Sequence, residues 1–202
     1  MARWSFLGQS GLSDTVGNTC TMVLDSRATI TSDGIICPEF SGSLGCAVCQ
    51  YTDSSNLPTG NDARTMTFWM KLDSSSNDGT GIAGYGLPGS KKPFLASLRN
   101  GKRLTWELWG PTQSDSTIKP SEDIFTHIAL TYDGSRTGQF FMNGVSSANT
   151  FNSGGDLITP TSGNVVVGGE IDNNEGMTGT IKDFRVYDRV LSAEEILEVM
   201  GK

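Results

Sequence analysis

The sequence predicts an all-β protein of the sandwich or barrel type, and three observations support this prediction. Short apolar runs alternate with turns rich in glycine, serine and asparagine, as at 73–79 and 152–156. Inside the runs, hydrophobic residues recur at every second position, as in strands that bury one face. Segments with the composition of long helices are nearly absent, and no internal repeat or linker divides the chain. The 202 residues are therefore expected to form a single domain over 1–202.

The strands are predicted from apolar runs and turn residues taken in order. Arg64–Leu72 is a strand whose apolar row consists of Met66, Phe68, Met70 and Leu72. The pairs Asn100-Gly101 and Asn143-Gly144 have the residues that tight hairpin turns require, so each is expected to join two strands. Further strands are expected at 125–132, 165–167 and 180–187, the last of which closes the sheet.

One helix is predicted, over 193–200 at the end of the chain. Ser192 can cap its first turn, and Glu195 can return a hydrogen bond to the backbone amide of the cap. Gly201 follows the last periodic residue as a stop signal. The buried side of this helix is expected to consist of Ile196, Leu197 and Met200.

The charge balance excludes two classes of partner. The chain has 15 basic and 22 acidic side chains, which give a formal net charge of −7. Nucleic acid and anionic membrane surfaces are bound through clustered lysine and arginine, so neither is expected as a partner. No apolar stretch is long enough for insertion into a bilayer. The first residues also lack the apolar segment of a secretory leader, which leaves a cytosolic location open.

The four cysteines favour an oxidising compartment. Cys20, Cys37, Cys46 and Cys49 all lie in the first quarter of the chain. An even number in one loop-rich segment is typical of disulfides, and four cysteines allow three pairings. Free thiols and a four-thiolate zinc site are the alternatives, although only one Cys-x-x-Cys knuckle is present. Disulfides, and with them an extracellular or cell-surface location, are the preferred interpretation.

Several segments resemble LamG-like jelly-roll domains of the concanavalin A-like lectin/glucanase superfamily. They are residues 125–134 with 141–145, and residues 166–169 followed by 179–192. Residues 4–18 look like the opening of the same domain, whereas the cysteine segment does not match the pattern. The resemblance implies a jelly roll of two antiparallel sheets with the short C-terminal helix. It also implies a non-catalytic module that binds carbohydrate or protein on extracellular surfaces, in many cases with a calcium ion.

A structural calcium site is predicted around Asp14, Asn18 and Asp183. Asp183 lies among apolar neighbours of the last strand, where an unpaired carboxylate would be costly. Calcium prefers oxygen ligands. The Asp14–Asn18 turn can supply them, and in similar domains this turn lies beside the closing strand. The alternatives are an ion pair between Asp183 and Arg185 and simple capping of the turn by Asp14.

A second acidic motif raises the possibility of catalysis. Glu170, Asp172 and Glu175 have the spacing Glu-x-Asp-x-x-Glu, which resembles the catalytic strand of retaining glucanases. Such enzymes hydrolyse a glycosidic bond with two carboxylates on one strand face. Here the segment is rich in turn residues, so a loop is expected. In that loop, Asp172 and Glu175 are candidate ligand contacts, with a solvated acidic loop as the alternative.

Aromatic residues supply the remaining candidates for ligand contact. Tyr85 lies in a glycine-rich segment, and Trp109 follows Trp106 with a spacing that places the two on opposite sides of a strand. Exposed rings beside polar groups suit sugar binding, because the C–H face of a pyranose stacks on them. Tyr85 and Trp109 are therefore candidate ligand contacts, unless both cover edges of the core. His127, the sole histidine, is expected to be a half-buried strand residue rather than a base.

The sequence thus predicts a non-catalytic binding module that recognises a glycan or a protein surface through its loop rim. One alternative is a glycoside hydrolase that uses Glu170 and Glu175. Another is a structural or assembly domain of a larger surface or particle protein.

Overall fold

The computed structural model describes residues 1–7, 9–17, 19–38, 45–110, 114–115, 117–172 and 175–201. Besides a 3-10 helix at Gln9–Leu12, its elements are β1 (Ala2–Trp4), β2 (Val23–Leu24), β3 (Thr29–Thr31), β4 (Gly34–Cys37), β5 (Ala47–Tyr51), β6 (Arg64–Leu72), β7 (Thr80–Gly86), β8 (Phe94–Arg99), β9 (Arg103–Glu107), β10 (Ser114–Asp115), β11 (Phe125–Tyr132), β12 (Thr137–Met142), β13 (Val145–Ser146), β14 (Phe151–Asn152), β15 (Gly163–Val167), β16 (Gly179–Tyr187) and α1 (Ala193–Met200). The predicted all-β fold with one C-terminal helix is confirmed.

The described strands form two antiparallel sheets. Sheet 1 has the order β13-β12-β11-β6-β16-β4-β3, with β1 beside β16 and β14 beside β12. Sheet 2 has the order β10-β9-β8-β7-β15-β5-β2. Hairpins of consecutive strands alternate with pairs that are distant in sequence, such as β6 with β16 and β7 with β15, as in a jelly roll. The last strand, β16, does not close sheet 1 as predicted, because it pairs with β6 on one side and with β4 and β1 on the other.

The core lies between the inner faces of the two sheets. Alternation along β6 buries the predicted apolar row there, while Trp69 points to the outer face of sheet 1. Large rings from both sheets meet in this layer, among them Trp4, Phe68, Trp106, Tyr132 and Phe184. Burial of such rings is a main source of the stability of a sandwich.

Both Asn-Gly hairpins are confirmed. Asn100-Gly101 joins β8 to β9, and Asn143-Gly144 joins β12 to β13. All four residues have positive φ angles between 51° and 87°, which the favoured two-residue hairpin turn requires. The first of these hairpins positions two strands of the candidate functional site.

Helix α1 covers part of the outer face of sheet 1. Ser192 and Glu195 form the predicted capping box, and Gly201 ends the helix with a φ of 83°. Ile196 and Met200 are buried, but Leu197 is 36% exposed, so the prediction was wrong for that residue. The helix packs on Ala129, Phe141, Tyr187 and Leu191 of the sheet and the preceding turn. In the described part of the chain, no helix has the length and apolar character needed to span a bilayer.

A bulge in β16 determines which way its side chains point. The register with β6 shifts between Lys182 and Arg185, and Asp183 has a φ of 53°. Ile181 therefore points into the core, although strict alternation predicts that it shares a face with Asp183. Beyond the bulge, Arg185 and Tyr187 lie on the outer face.

The four cysteines form two disulfides, as the sequence favours. The pairs are Cys20–Cys49 and Cys37–Cys46, with Cα–Cα distances of 5.9 and 5.5 Å. The first ties the N-terminal segment to β5 in sheet 2. The second joins β4 in sheet 1 to the residue that precedes β5, so it links the two layers.

Candidate functional site

Three of the four predicted ligand contacts belong to the outer face of sheet 2 or to the loop that folds over it. An apolar cluster of Leu95, Val166 and Ile171 lies on this face, and Trp109 packs against it. Asp172 follows Ile171 directly, and Glu175 lies further along the same loop. The fourth contact, Tyr85, is not part of this group.

Trp109 is the aromatic side chain that this face offers to solvent. It follows the end of β9, has a φ of 46°, and is half-buried against the apolar cluster. Trp106 points to the other side and is fully buried in the core. The prediction that the two tryptophans face opposite sides is therefore confirmed. Trp109, however, lies after the end of β9 rather than within the strand.

The prediction that Tyr85 contacts a ligand is wrong. Tyr85 belongs to β7 rather than to a glycine loop, and its side chain is fully buried. Its hydroxyl donates a hydrogen bond of 2.8 Å to the carbonyl oxygen of Pro58, and burial raises its pKa to about 12. The neighbouring glycines are part of the strand itself. They are needed there because a Cβ atom at Gly84 or Gly86 would collide with a backbone carbonyl oxygen of the adjacent segment.

The loop between β15 and β16 folds over the outer face of sheet 2. Gly81 in β7 pairs with Gly176, and its amide donates a hydrogen bond of 3.2 Å to the carbonyl oxygen of Glu175. A Cβ atom at Gly81 would lie 2.3 Å from the carbonyl oxygen of Gly169, so only glycine fits there. Ile171 and Asp172 form a turn. The described part of the acidic motif is therefore a loop, as predicted, and not a catalytic strand.

Arg99 gathers three carboxylates at this face. Its Nη2 atom lies 2.5 Å from Oε1 of Glu170, and its Nε atom lies 3.3 Å from Oε2 of Glu107. Its Nη1 atom lies 3.9 Å from Oε2 of Glu175. Glu107 and Glu170 are almost fully buried, whereas the Glu175 side chain is 56% exposed. Because Glu107 pairs across the strands with Leu95, the charged cluster adjoins the apolar one.

We call this surface the Trp109 patch. It consists of Trp109, Arg99, Glu107, Glu170, Asp172 and Glu175. Sequence reasoning missed Arg99 and Glu107. The signal that could have found them is the period-two alternation of the predicted hairpin, which places 95, 97 and 99 on the same face as 105 and 107.

The environment of Glu170 is unusual for a carboxylate. Burial raises its pKa to about 7, with Asp172 and Glu107 adding to the rise and Arg99 opposing it. In the unfolded chain the same group ionises near 4.5. Ionisation of Glu170 therefore costs folding free energy as the pH rises from about 4.5 through about 7.

This shift predicts a pH-dependent effect of Glu170→Gln. The glutamine cannot ionise, so only the wild type loses stability as the pH rises. We expect the wild type to lose about 2–3 kcal/mol relative to the variant between about pH 5 and about pH 8, measured by urea unfolding at each pH. Glu175→Gln, at an exposed position, is the control: it keeps Glu170 and should lose stability with rising pH in parallel with the wild type. Parallel pH profiles for the wild type and Glu170→Gln would contradict the assignment.

The residues of the predicted calcium site are bound to protein groups instead. Oδ1 of Asp14 accepts hydrogen bonds of 2.9, 2.9 and 3.0 Å from the amides of Arg3, Val16 and Gly17, and Oδ2 accepts one of 2.9 Å from Thr19. Burial alone would raise the pKa of Asp14, but these donors hold it below its ordinary value. Asp14 therefore caps its turn, which is one of the two alternatives.

Asp183 is held between two arginines. Its carboxylate lies 2.8 Å from Nε of Arg3 and 2.5 Å from Nη2 of Arg185. These cations keep its pKa below the ordinary value although burial would raise it. A calcium ion would have to displace N–H donors from both aspartates, so Asp14 and Asp183 do not fit it. Asn18 lies outside the described residues, and in those residues no cluster of three metal-binding side chains occurs.

Chelation tests the calcium prediction. Since the two aspartates are saturated by N–H donors, we expect the melting temperature in EDTA to equal that in added Ca²⁺ within about 1 °C. The measurement is a thermal melt followed by circular dichroism in both buffers. A fall of several degrees in EDTA would show that the domain holds a stabilising ion. If the Asp183→Asn variant then showed no such fall in EDTA, the ion would be assigned to this site.

His127 lies on the outer face of sheet 1 and is 1% exposed. Its ring packs edge-on against Trp69 with a centroid distance of 5.2 Å, and burial lowers its pKa to about 4. It is therefore neutral at physiological pH. The prediction of a strand residue is confirmed, and the side chain is more buried than expected.

A sandwich of two antiparallel sheets with a short C-terminal helix is a jelly-roll domain. The chain belongs to the Laminin_G_3 family of the concanavalin A-like lectin/glucanases superfamily, whose family model matches residues 47–197. A search of curated proteins finds no significant match.

Solved structures share the fold at low sequence identity. Domain 4 of AbnA, an extracellular GH43 arabinanase from Geobacillus stearothermophilus solved with arabinotriose, is 19% identical at a TM-score of 0.65, over 98% of this chain and 96% of that one. Trypanosoma rangeli sialidase is 19% identical at 0.68, over 97% of this chain and 31% of that one. The botulinum neurotoxin serotype D ligand binding domain, solved with N-acetylneuraminic acid, is 15% identical at 0.71, over 100% and 50%. The chain thus spans a third to a half of the last two.

Proposed function

We propose that this domain is a non-catalytic carbohydrate-binding module that holds a saccharide on the Trp109 patch. The observation that carries the proposal is the part-exposed Trp109 ring, which packs on an apolar cluster that includes Leu95, the cross-strand partner of Glu107 in the charged cluster around Arg99. A pyranose ring can stack on the indole while its hydroxyl groups bond to the accessible charged groups, of which Glu175 is 56% exposed and Arg99 is 23% exposed. The sequence predicted binding through the loop rim. The proposed location is more specific, because it lies on the outer face of sheet 2 and the β15–β16 loop borders it.

The charges of the patch favour a neutral saccharide. Glu107, Glu170 and Glu175 surround one guanidinium group, so the cluster carries an excess of negative charge. Sugar hydroxyl groups can donate to carboxylates, whereas an acidic substituent would be repelled. Domain 4 of AbnA was solved with the neutral arabinotriose, which agrees with this class of ligand.

The alternative of a glycoside hydrolase is less well supported. The Glu170 side chain is only 5% exposed and is bonded to Arg99, so it is poorly placed to reach a glycosidic bond. Glu175 and Glu170 also lie on a loop rather than on one strand face.

Two disulfides further support an extracellular location for the module.

Trp109→Ala is the direct test. We expect it to weaken binding of a neutral oligosaccharide selected on a glycan array by about thirtyfold or more, because truncation of a central tryptophan typically costs about 2 kcal/mol. Isothermal titration measures the affinity. Trp69→Ala, on the outer face of the opposite sheet, is the matched control and should retain wild-type affinity. Equal affinity of Trp109→Ala and the wild type would contradict the proposal.

Hydrolysis is tested on the same protein. Incubation with polymeric β-glucans and arabinan should release no reducing ends. If the wild type releases them, and Glu170→Gln or Glu175→Gln abolishes the release, the domain is an enzyme. If no saccharide binds at all and gel filtration shows an assembly, the third alternative, a structural domain, is correct.

A further inference from the structure

The outer face of sheet 1 differs from the Trp109 patch in its charge. Helix α1 covers the part of this face around Ala129 and Phe141. The remaining part carries partly exposed side chains that no element of the described chain covers. We call it the Lys182 face, and it consists of Lys71, Lys182, Arg3, Arg185, Trp69 and Phe125.

Two lysines on this face surround one aromatic ring. The Nζ atom of Lys182 lies 4.1 Å from the centroid of the Phe125 ring, and that of Lys71 lies 5.5 Å from it. Register places Lys71 beside Phe125, and Lys182 beside Trp69. Neither lysine forms an ion pair with a carboxylate among the described residues. Cation–π contact orders the two side chains before any ligand arrives, which lowers the cost of binding.

The arginines add to the positive charge. Arg3 and Arg185 together hold the single carboxylate of Asp183, so this trio keeps one positive charge. With the two lysines, the face has a clear positive excess on a chain whose net charge is −7. Asp73 and Asp123 lie at the end of the face, in a pocket of about 280 Å³ that Lys71 and Thr180 also line. Asp73 accepts a hydrogen bond from the amide of Ser75 and makes no ion pair with Lys71.

We propose that the Lys182 face binds the acidic substituents of a charged polysaccharide, with a sugar ring against Trp69 and the anionic groups at Lys71 and Lys182, which Phe125 orders. Lysine is a compact point charge that attracts a carboxylate or a sulfate without the paired geometry of arginine. The part-exposed Trp69 ring, which lies beside Lys182 in the sheet, suits a sugar face. A nucleic acid fits less well, because its dense charge would meet the acidic remainder of the protein.

This site is separate from the Trp109 patch. The two lie on the outer faces of opposite sheets, and one is acidic whereas the other is basic. A domain with both sites could hold a neutral polysaccharide on one side and an acidic polysaccharide on the other.

Three polymers that share one neutral backbone test the proposal: dextran, carboxymethyl-dextran and dextran sulfate. We expect Trp109→Ala, in which the site proposed for neutral saccharides is removed, to bind both charged polymers on a biosensor surface but not dextran, and we expect the binding to weaken steeply with salt. The two charged arms separate a carboxylate preference from a sulfate preference. Binding of neutral dextran at equal strength would overturn the proposal, as would no binding of either charged polymer.

Variants assign the binding to this face. Lys182→Met should lower the affinity for the charged polymer about tenfold, whereas Lys182→Arg should keep it, as expected for a charge-assisted contact. Lys92→Met, at the β7–β8 turn of sheet 2, removes the same charge elsewhere and should have little effect. Trp69→Ala should also weaken binding, and Trp109→Ala should not. Equal effects of Lys182→Met and Lys92→Met would overturn the proposal, as would an oligonucleotide that binds as tightly as dextran sulfate.

Discussion

Replacement of Arg64 by methionine is expected to destabilise the domain by about 3–5 kcal/mol, because it removes the donors of a fully buried network. Arg64 is 0% exposed. Its Nε atom donates to the carbonyl oxygen of Asp62 at 2.8 Å, and Nη2 donates to those of Thr59 and Gly60 at 3.0 and 2.9 Å. Nη1 donates to the carbonyl oxygen of Pro58 at 3.2 Å and to the Tyr85 hydroxyl at 3.0 Å.

The surroundings of this guanidinium group explain the size of the effect. Its carbon atom lies 5.6 Å from the ring centroid of Phe94 and 5.9 Å from those of Tyr85 and Tyr132. The hydrogen bonds of Arg64 go to backbone carbonyl groups and one hydroxyl, so the side chain holds the 58–62 segment over the end of the core. Methionine would fill most of the volume but remove the Arg64 donor from four carbonyl oxygens, of which only those of Pro58 and Thr59 keep a hydrogen bond described here, from the Tyr85 hydroxyl and the Asp62 amide.

Urea unfolding of three variants measures this effect. Arg64→Lys keeps the charge but has fewer donors in a different geometry. Its free energy of unfolding should therefore lie between that of the wild type and that of Arg64→Met. Arg136→Met is the control, because Arg136 is 54% exposed and its ion pair with Asp156 is worth at most about 1 kcal/mol. A loss below about 1 kcal/mol for Arg64→Met would show that water replaces the guanidinium group without penalty.

The second large effect is expected from the disulfides. Cys20–Cys49 closes a loop with a sequence separation of 29, and Cys37–Cys46 one with a separation of 9. Chain entropy alone gives about 3.6 kcal/mol for the longer loop and about 2.7 kcal/mol for the shorter one. We therefore expect Cys20→Ala/Cys49→Ala to lose about 3–4 kcal/mol and Cys37→Ala/Cys46→Ala about 2–3 kcal/mol.

Equilibrium unfolding of the two double variants, with and without reductant, measures these losses. Reductant should destabilise the wild type by at least as much as either double variant, and should leave a protein without cysteines unchanged. A loss below about 1 kcal/mol in both variants would mean that the disulfides do not constrain the unfolded chain. Since oxidising conditions are needed for this stability, the result also bears on the proposed extracellular location.

Local signals in the sequence determined the elements that could be predicted. The capping box at Ser192, the Asn-Gly turns and the alternation in β6 each depend on residues a few positions apart. These predictions are confirmed because no distant contact opposes them. Leu197 is an exception, since the helix turns it to the edge of its contact with the sheet.

The parts of the candidate site that could not be predicted depend on contacts between distant residues. Arg99 and Glu170 are 71 residues apart, and they meet because the β15–β16 loop folds over sheet 2. Tyr85 has a glycine-rich neighbourhood that resembles a loop, but the glycines accommodate close backbones inside a central strand. The bulge at Asp183 lies where the partner of β16 on one side changes from β4 to β1, and no local pattern encodes that change.

The central claim is that the Trp109 patch holds a saccharide without cleaving it, and nuclear magnetic resonance of the ¹⁵N-labelled protein tests it most directly. The chain has four tryptophans, so it gives four indole N–H signals. Titration with a neutral oligosaccharide should shift the Trp109 signal and leave those of the buried Trp4 and Trp106 and of the distant Trp69 in place, while the sugar shows no new reducing end. An unmoved Trp109 signal at saturation, or new reducing ends, would contradict the account.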